Sequence, residues 1–159
     1  MKRIALIAGL ALAACGDTGG KGGYDASRDA AADIKNALVQ ARAGHKRVLI
    51  EAGGNWCSWC KIMDRFFDDH AELAALRDKN FVVVKVSVES GGPVPAALKS
   101  YPAPAGYPHL YVLDENGTLI QSQNTAELES GQSYDLEKFT FFLRSFHGRP
   151  DCAGVSRTR

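Results

Sequence analysis

The sequence lacks an excess of charge of either sign. Its 159 residues include 19 Lys and Arg against 18 Asp and Glu, and the two signs are interleaved along the chain. A nucleic-acid-binding domain usually concentrates basic residues against phosphates, so this balance argues against a nucleic-acid partner. The composition, 45% hydrophobic and 23% charged, is that of an ordinary globular domain, which excludes a wholly disordered or fibrous chain. The length predicts one hydrophobic core.

The apolar stretch at residues 4–14 is too short to span a bilayer comfortably. It follows Lys2 and Arg3 and ends in Leu12-Ala13-Ala14-Cys15, a pattern typical of a secretory signal. That tetrapeptide resembles the bacterial lipobox, in which the Cys is lipidated and becomes the first residue of the mature protein. The alternative is a plain secretory signal in which Cys15 is incidental.

This N-terminal pattern predicts a lipoprotein signal peptide at residues 1–14 and a lipid on Cys15. Residues 15–25 are Gly-rich and are expected to form a lipid-anchored flexible tether. The folded domain is predicted at 26–147 and a C-terminal tail at 148–159. The protein is therefore expected in the bacterial cell envelope, anchored to a membrane and facing the periplasm.

Cysteine is scarce, and its distribution disfavours several kinds of site. If Cys15 carries lipid, three of the four Cys remain: Cys57 and Cys60 form a Cys-x-x-Cys pair, and Cys152 has no partner left in the chain. A structural disulfide framework therefore fits badly. No second Cys-x-x-Cys and no His-x-x-x-His is present to complete a zinc site. We expect no cofactor and no metal; the alternative is a copper chaperone that binds Cu(I) through the two thiolates with His109 or Met63.

The hydrophobic periodicity predicts alternating helices and strands. The predicted elements are a helix from Tyr24 to Ala43, a strand at Arg47–Ala52, a helix at Lys61–Lys79 that Asp68-Asp69 could interrupt, a strand at Phe81–Val88 parallel to the first, a short helix at Ala96–Ser100, hairpin strands at His109–Leu113 and Leu119–Ser122 joined through Asn116-Gly117, and a helix at Tyr134–Phe146. This order predicts an α/β fold with a mixed central sheet and helices on both faces.

The Cys pair lies in Trp56-Cys57-Ser58-Trp59-Cys60-Lys61, at the predicted start of a helix. There Cys57 would meet unsatisfied backbone N–H groups and the positive end of the helix dipole, which favour thiolate over thiol. Cys57 is therefore the predicted nucleophile. Cys60, one turn into the helix, would be more buried and would resolve a mixed disulfide by attacking Cys57.

The segment from Val48 to Lys61 resembles the active-site strand and loop of the thioredoxin superfamily, with its Trp-Cys-x-x-Cys-Lys signature intact. The resemblance extends from about Ala30 to Phe146. It implies a thioredoxin-like fold and exchange with disulfide-containing protein substrates, with reducing equivalents supplied by a membrane thiol electron donor. Ser58-Trp59 replaces the usual Gly-Pro and Arg65 replaces a helix-kinking Pro, so the direction of electron flow is open; reduction or isomerisation is favoured. A redox-inert interaction domain is a further alternative.

The resemblance also implies roles for Glu51 and Lys85. Glu51 occupies the position of a buried carboxylate that helps move the proton of the resolving Cys, and Lys85 matches its Lys partner on the next strand. Burial among apolar residues should raise the pKa of Glu51. The alternative is that either side chain points to solvent at a strand edge.

Substrate contacts are implied for four residues near the Cys pair. Gly106-Tyr107-Pro108 resembles the family's cis-proline loop, which offers backbone groups to an extended substrate. Tyr107 and Pro108 would contact the substrate, together with Trp56 and Trp59. An equally weighted alternative has Trp59 packing only against Tyr107.

Overall fold

The structure is a computed structural model that describes residues 23–146. The predicted signal peptide, Cys15, most of the tether, and the tail with Cys152 lie outside the described residues. The elements are α1 Ala30–Ala43, β1 Arg47–Gly53, α2 Ser58–Asp69, α3 Ala71–Asn80, β2 Phe81–Ser87, β3 His109–Leu113, β4 Leu119–Asn124, β5 Glu129–Ser130, β6 Ser133–Tyr134 and α4 Leu136–Arg144, with 3-10 turns at Ala96–Leu98 and Thr125–Leu128.

Four strands form a mixed sheet in the order β2-β1-β3-β4. β1 pairs parallel with β2 and antiparallel with β3, and β3 pairs antiparallel with β4. The predicted parallel pair and hairpin are therefore confirmed. The hairpin turn places Gly117 at a φ of +89°, a left-handed conformation that glycine adopts at little cost.

The sheet carries an apolar cluster on each face, because alternate residues of a strand point to opposite sides. On one face Leu49 packs with side chains of α2, α3 and α4, including Met63 and Phe139. On the other, Ile50 packs with α1 and the turn at Ala96–Leu98. The predicted α/β architecture, a mixed sheet with helices on both faces, is confirmed.

Two predicted helix starts are corrected by side-chain caps, and one small hairpin is added. α1 begins at Ala30, six residues later than predicted, because the Asp29 carboxylate accepts hydrogen bonds from the backbone N–H groups of Ala31 and Ala32. Asp135 caps α4 in the same way, so Tyr134 belongs to the hairpin β5–β6, which the sequence did not predict. The predicted interruption at Asp68-Asp69 is real: α2 ends at Asp69.

No helix within residues 23–146 combines the length and apolar character needed to cross a membrane.

Candidate active site

Cys57 and Cys60 are joined by a disulfide at the start of α2, with their Cα atoms 5.3 Å apart. Cys57 is the N-cap residue of the helix, and its Sγ accepts a hydrogen bond from the backbone N–H of Cys60 at 3.1 Å. Cys57 is 4% exposed and Cys60 is 1% exposed, so both residues are buried while the disulfide is closed, Cys60 slightly more than Cys57. The position of Cys57 at the positive end of the helix dipole favours its thiolate when the bond is reduced.

Glu51 lies on the same face of β1 as the disulfide. Glu51 and Gly53 are two residues apart, so their side-chain directions coincide, about 7 Å apart along the strand. A Cβ on Gly53 would lie 2.5 Å from Cys60 Sγ and 2.7 Å from Tyr24 Oη. The Gly53 position therefore marks where both atoms approach the strand, and Glu51 is the next side chain on that face.

We expect Gly53→Ala to destabilise the oxidised protein by about 1–3 kcal/mol, the usual cost of overpacking a well-packed site. The added methyl group would meet the disulfide sulfur and the tyrosine hydroxyl at distances that real Cβ atoms do not show. Thermal unfolding measures the loss. Gly106→Ala is the control, because nothing lies within 4 Å of its added Cβ; equal stability of the two variants would contradict the close packing at Gly53.

Glu51 is 1% exposed, and its Oε1 has no hydrogen-bond partner. Burial raises the pKa of Glu51 above its ordinary value, and the positive charge of Lys85 opposes that shift. The predicted burial and the direction of the pKa shift are therefore confirmed. The role of Glu51 in proton transfer stays a prediction.

The predicted pairing of Lys85 with Glu51 is only partly right. The two residues are neighbours in the parallel register of β1 and β2. However, the Lys85 ammonium donates to Asp64 Oδ1 on α2 at 2.6 Å, and no salt bridge joins it to Glu51. The Asp64 side chain is 40% exposed, so ionising it costs less desolvation than ionising the buried Glu51. Lys85 therefore acts on Glu51 through its charge rather than through a hydrogen bond.

Tyr24 is a site residue that the sequence did not identify. It is 5% exposed and forms a small buried cluster with Cys57 and Cys60. Two hydrogen bonds hold it there: its backbone N–H donates to Asn55 Oδ1 at 3.0 Å, and Asn55 Nδ2 donates to its carbonyl at 2.7 Å. The sequence predicts Tyr24 as the first residue of a helix and as part of the tether, and the structure corrects this: Tyr24 precedes α1 and packs beside the active-site loop.

Aromatic side chains surround the disulfide, although the ring pairs differ from those expected. Trp56 is 46% exposed and packs edge-on against Tyr107, with ring centroids 5.8 Å apart. Its Nε1 donates to the carbonyl of Val88 at 2.7 Å. Trp59 makes its ring contact with Tyr134 of β6, at 5.5 Å, rather than with Tyr107.

The peptide bond between Tyr107 and Pro108 is cis. The Pro108 carbonyl accepts a hydrogen bond from the buried Thr125 hydroxyl at 2.6 Å, which fixes this loop against the turn after β4. Tyr107 packs against the cluster that contains the two cysteines. The loop therefore lies beside the disulfide, while the contacts of its residues with a substrate stay a prediction.

The two further residues considered as copper ligands have other neighbours. Met63 is fully buried in the apolar cluster between the sheet and α2. His109 is also buried, and its Nε2 is 2.8 Å from Ser122 Oγ. Among residues 23–146, no three His, Cys, Asp or Glu side chains are grouped as metal ligands.

Comparison with known proteins agrees with this geometry. A family model described as thioredoxin-like matches residues 29–115. A search of curated protein sequences found no match to the chain. Among solved structures, the chain is similar to a disulphide isomerase from Xylella fastidiosa Temecula1, with 27% identity, a TM-score of 0.67, and coverage of 77% of this chain and 94% of that one.

The chain is also similar to the C-terminal domain of DsbD from Neisseria meningitidis in its oxidised form. The TM-score is 0.55 at 21% identity, covering 75% of this chain and 97% of that one, a likeness that concerns the fold alone. The family model, by contrast, extends over more than half of the chain and includes the active-site segment. The chain therefore belongs to the thioredoxin-like family.

Proposed function

We propose that the protein is a thiol–disulfide oxidoreductase that reduces or isomerises disulfides of other proteins in the bacterial cell envelope. The observation that carries this proposal is the disulfide between Cys57 and Cys60 at the N-terminus of α2. A helix start stabilises the thiolate that attacks a substrate, and a second thiol one turn away can then release the product. The similarity to the disulphide isomerase from Xylella fastidiosa supports thiol–disulfide exchange as the reaction.

The proposed cycle begins with the reduced protein. The Cys57 thiolate attacks one sulfur of the substrate disulfide, forming a mixed disulfide while the other substrate sulfur leaves as a thiolate. Cys60, after losing its proton, attacks Cys57 Sγ; the Cys57–Cys60 bond forms and the remaining substrate sulfur leaves with the electron pair. Glu51, buried on the same face of β1 and without a partner at Oε1, is the proposed acceptor of the Cys60 proton.

The substrate is proposed to lie along the aromatic rim beside the disulfide. Trp56 is half exposed next to Tyr107, and the cis Pro108 follows directly in the chain. Trp59 belongs to α2 and packs against the buried cluster that contains the two cysteines. In the proposal these side chains supply apolar contact beside Cys57, and backbone groups of the loop bind an extended peptide.

Residues 1–15 support the envelope location of this proposal, because they carry the features of a lipoprotein signal. In that compartment the reduced form has to be regenerated after each reductive cycle. We propose that a thiol donor in the membrane supplies the electrons, and that a lipid on Cys15 holds the domain at the membrane surface.

The proposal is tested by equilibrating the protein in thiol–disulfide buffers and counting free site thiols by the mass added on alkylation. A reductase is expected to have a reduction potential near that of thioredoxin, about −270 mV. A protein with that potential should also catalyse the reduction of a protein disulfide such as that of insulin. A value near about −120 mV would contradict the reducing direction, and a disulfide that never exchanges would contradict the function itself.

A further inference from the structure

The hydroxyl of Tyr24 is a buried polar group without a partner beside the reacting sulfurs. Tyr24 Oη has no hydrogen-bond partner, although the side chain is 5% exposed. Leaving a buried hydroxyl unpaired is costly, so such a group in a well-packed site needs an explanation. The disulfide state gives it no strong acceptor, since neither sulfur carries a charge.

The geometry brings this hydroxyl close to Cys60. Tyr24 Oη and Cys60 Sγ both lie close to the point where Gly53 would carry a Cβ, at 2.7 Å and 2.5 Å from it, so the two atoms are at most about 5 Å apart. Only a residue without a side chain leaves room for both. The absence of a side chain at Gly53 therefore makes the tyrosine oxygen and the sulfur neighbours, although no hydrogen bond joins them while the disulfide is closed.

Tyr24 is also held firmly, so that its hydroxyl cannot easily turn to solvent. Its backbone is bonded in both directions to the Asn55 amide. The ammonium of Lys85 lies 5.3 Å from the centroid of its ring. A positive charge near the ring makes the phenol a better donor and by itself favours ionisation, but burial and the charge of Glu51 oppose ionisation and raise the pKa of Tyr24 well above its ordinary value. The hydroxyl thus keeps its proton and can act as a donor.

We propose that Tyr24 donates a hydrogen bond to the Cys60 sulfur in the reduced protein and stabilises its thiolate for the resolving step. This inference rests on the proposed function, because it assigns a role within the same exchange cycle. The Cys60 proton still passes to Glu51, and the electron pair of the Cys60 thiolate forms the new bond to Cys57 Sγ while the bond from Cys57 Sγ to the substrate breaks and the substrate sulfur leaves as a thiolate. Tyr24 neither gains nor loses an electron; it lowers the energy of the attacking anion.

Several charged or titratable groups lie around Tyr24 and Cys60. Their effects on a pH profile have to be distinguished from the effect of the Tyr24 hydroxyl. They come from three strands and one helix packed around the site: Glu51, Lys85, Tyr134 and Asp64. Among them Glu51 is the proposed proton acceptor. Its contribution can be measured separately by recording the same profile for Glu51→Gln.

The test follows the reduced protein as it reacts with a stoichiometric amount of an aromatic disulfide, dithionitrobenzoate, whose thiolate is coloured. Cys15→Ser and Cys152→Ser in the background leave only the two site thiols. The first release of colour reports attack by Cys57, and the second reports resolution by Cys60. Both rates are recorded across pH for the parent, for Tyr24→Phe, and for Tyr101→Phe as the matched loss of a hydroxyl in the opposite apolar cluster.

In Tyr24→Phe the midpoint of the second-phase profile is expected to rise by about one pH unit, the effect of one lost hydrogen bond to a charged sulfur. The rate at pH 7 should fall about threefold, because the less stable thiolate is rarer but more nucleophilic. On the high-pH plateau the same variant should be about threefold faster. The first phase and Tyr101→Phe should match the parent. A structural defect would not make the second-phase pH profile of Tyr24→Phe cross that of the parent.

An unchanged second-phase midpoint in Tyr24→Phe would overturn the role of Tyr24 while leaving the proposed function intact. Absence of the first phase in the parent would instead remove the proposed function. If Tyr24→Phe does not fold, difluorotyrosine at position 24 keeps the hydroxyl and makes it a stronger donor. The second-phase midpoint should then move to lower pH; a midpoint equal to that of the parent would also overturn the role.

Discussion

Replacing Cys57 with Ser is expected to lower the rate of disulfide exchange by at least about a thousandfold, because a serine hydroxyl does not ionise in the pH range in which a thiol does. Cys57 caps α2, where the helix start stabilises its anion. The measurement is reduction of a protein disulfide under single-turnover conditions. The variant should remain folded, since a serine oxygen at the N-cap can accept the same backbone hydrogen bond from Cys60.

Cys60→Ser is the matched variant, and it should behave differently. Cys57 remains free to attack, but the resolving thiol is lost, so a covalent mixed disulfide with the substrate should accumulate. Mass spectrometry without reductant detects that adduct. If Cys57→Ser instead accumulates the adduct and Cys60→Ser does not, the assignment of nucleophile and resolving residue is reversed. If both variants exchange disulfides as fast as the parent does, neither Cys57 nor Cys60 carries the reaction.

Glu51→Gln is expected to make the protein more stable at neutral pH and slower in the resolving step. Burial raises the pKa of Glu51 in the folded protein, so the folded state holds this proton more tightly than the unfolded chain does. Stability from this group is therefore fully present below its ordinary pKa of 4.5 and is lost as pH rises through the folded-state value. Glutamine does not ionise and so avoids this loss in the free energy of unfolding, which amounts to about 1.4 kcal/mol for each pH unit by which the folded-state pKa of Glu51 exceeds the unfolded one.

The same substitution removes the proposed acceptor of the Cys60 proton, and general bases contribute at least about 10²-fold to such steps. Denaturant unfolding at several pH values and the second phase of the aromatic disulfide reaction measure the two effects. Glu115→Gln is the control, because it makes the same change at an exposed position in the hairpin turn. A parent whose stability rises with pH above 4.5 relative to Glu51→Gln would contradict the raised pKa.

Much of the fold could be predicted from the sequence because its elements have clear local patterns. The β-branched run of β2, the periodic aromatic residues of α4 and the Cys pair at the start of α2 each depend on neighbours a few positions away. The same holds for Glu51, whose place within an apolar strand already indicates burial. In each case the structure agreed because local preference and tertiary packing favour the same conformation.

Tyr24 could not be predicted in this way, because its partners lie far along the chain. Asn55 is 31 residues away, and the neighbours of Tyr24 in sequence continue the helical spacing of α1. The one local signal was Asp29, a good N-cap residue that separates Tyr24 from the helix. The ion pair of Lys85 with Asp64 could not be predicted for a related reason: the sequence correctly places Lys85 beside Glu51, but Asp64 lies 21 residues away on α2.

Gly23 directly precedes the tyrosine that packs on the redox pair. Gly23 lies eight positions after Cys15, and a fully extended chain advances at most about 3.6 Å per position. With the proposed lipid on Cys15, Gly23 would stay within about 30 Å of the bilayer. The enzyme would then serve partners embedded in or passing close to that bilayer, and targets deeper in the periplasm would have to come to it.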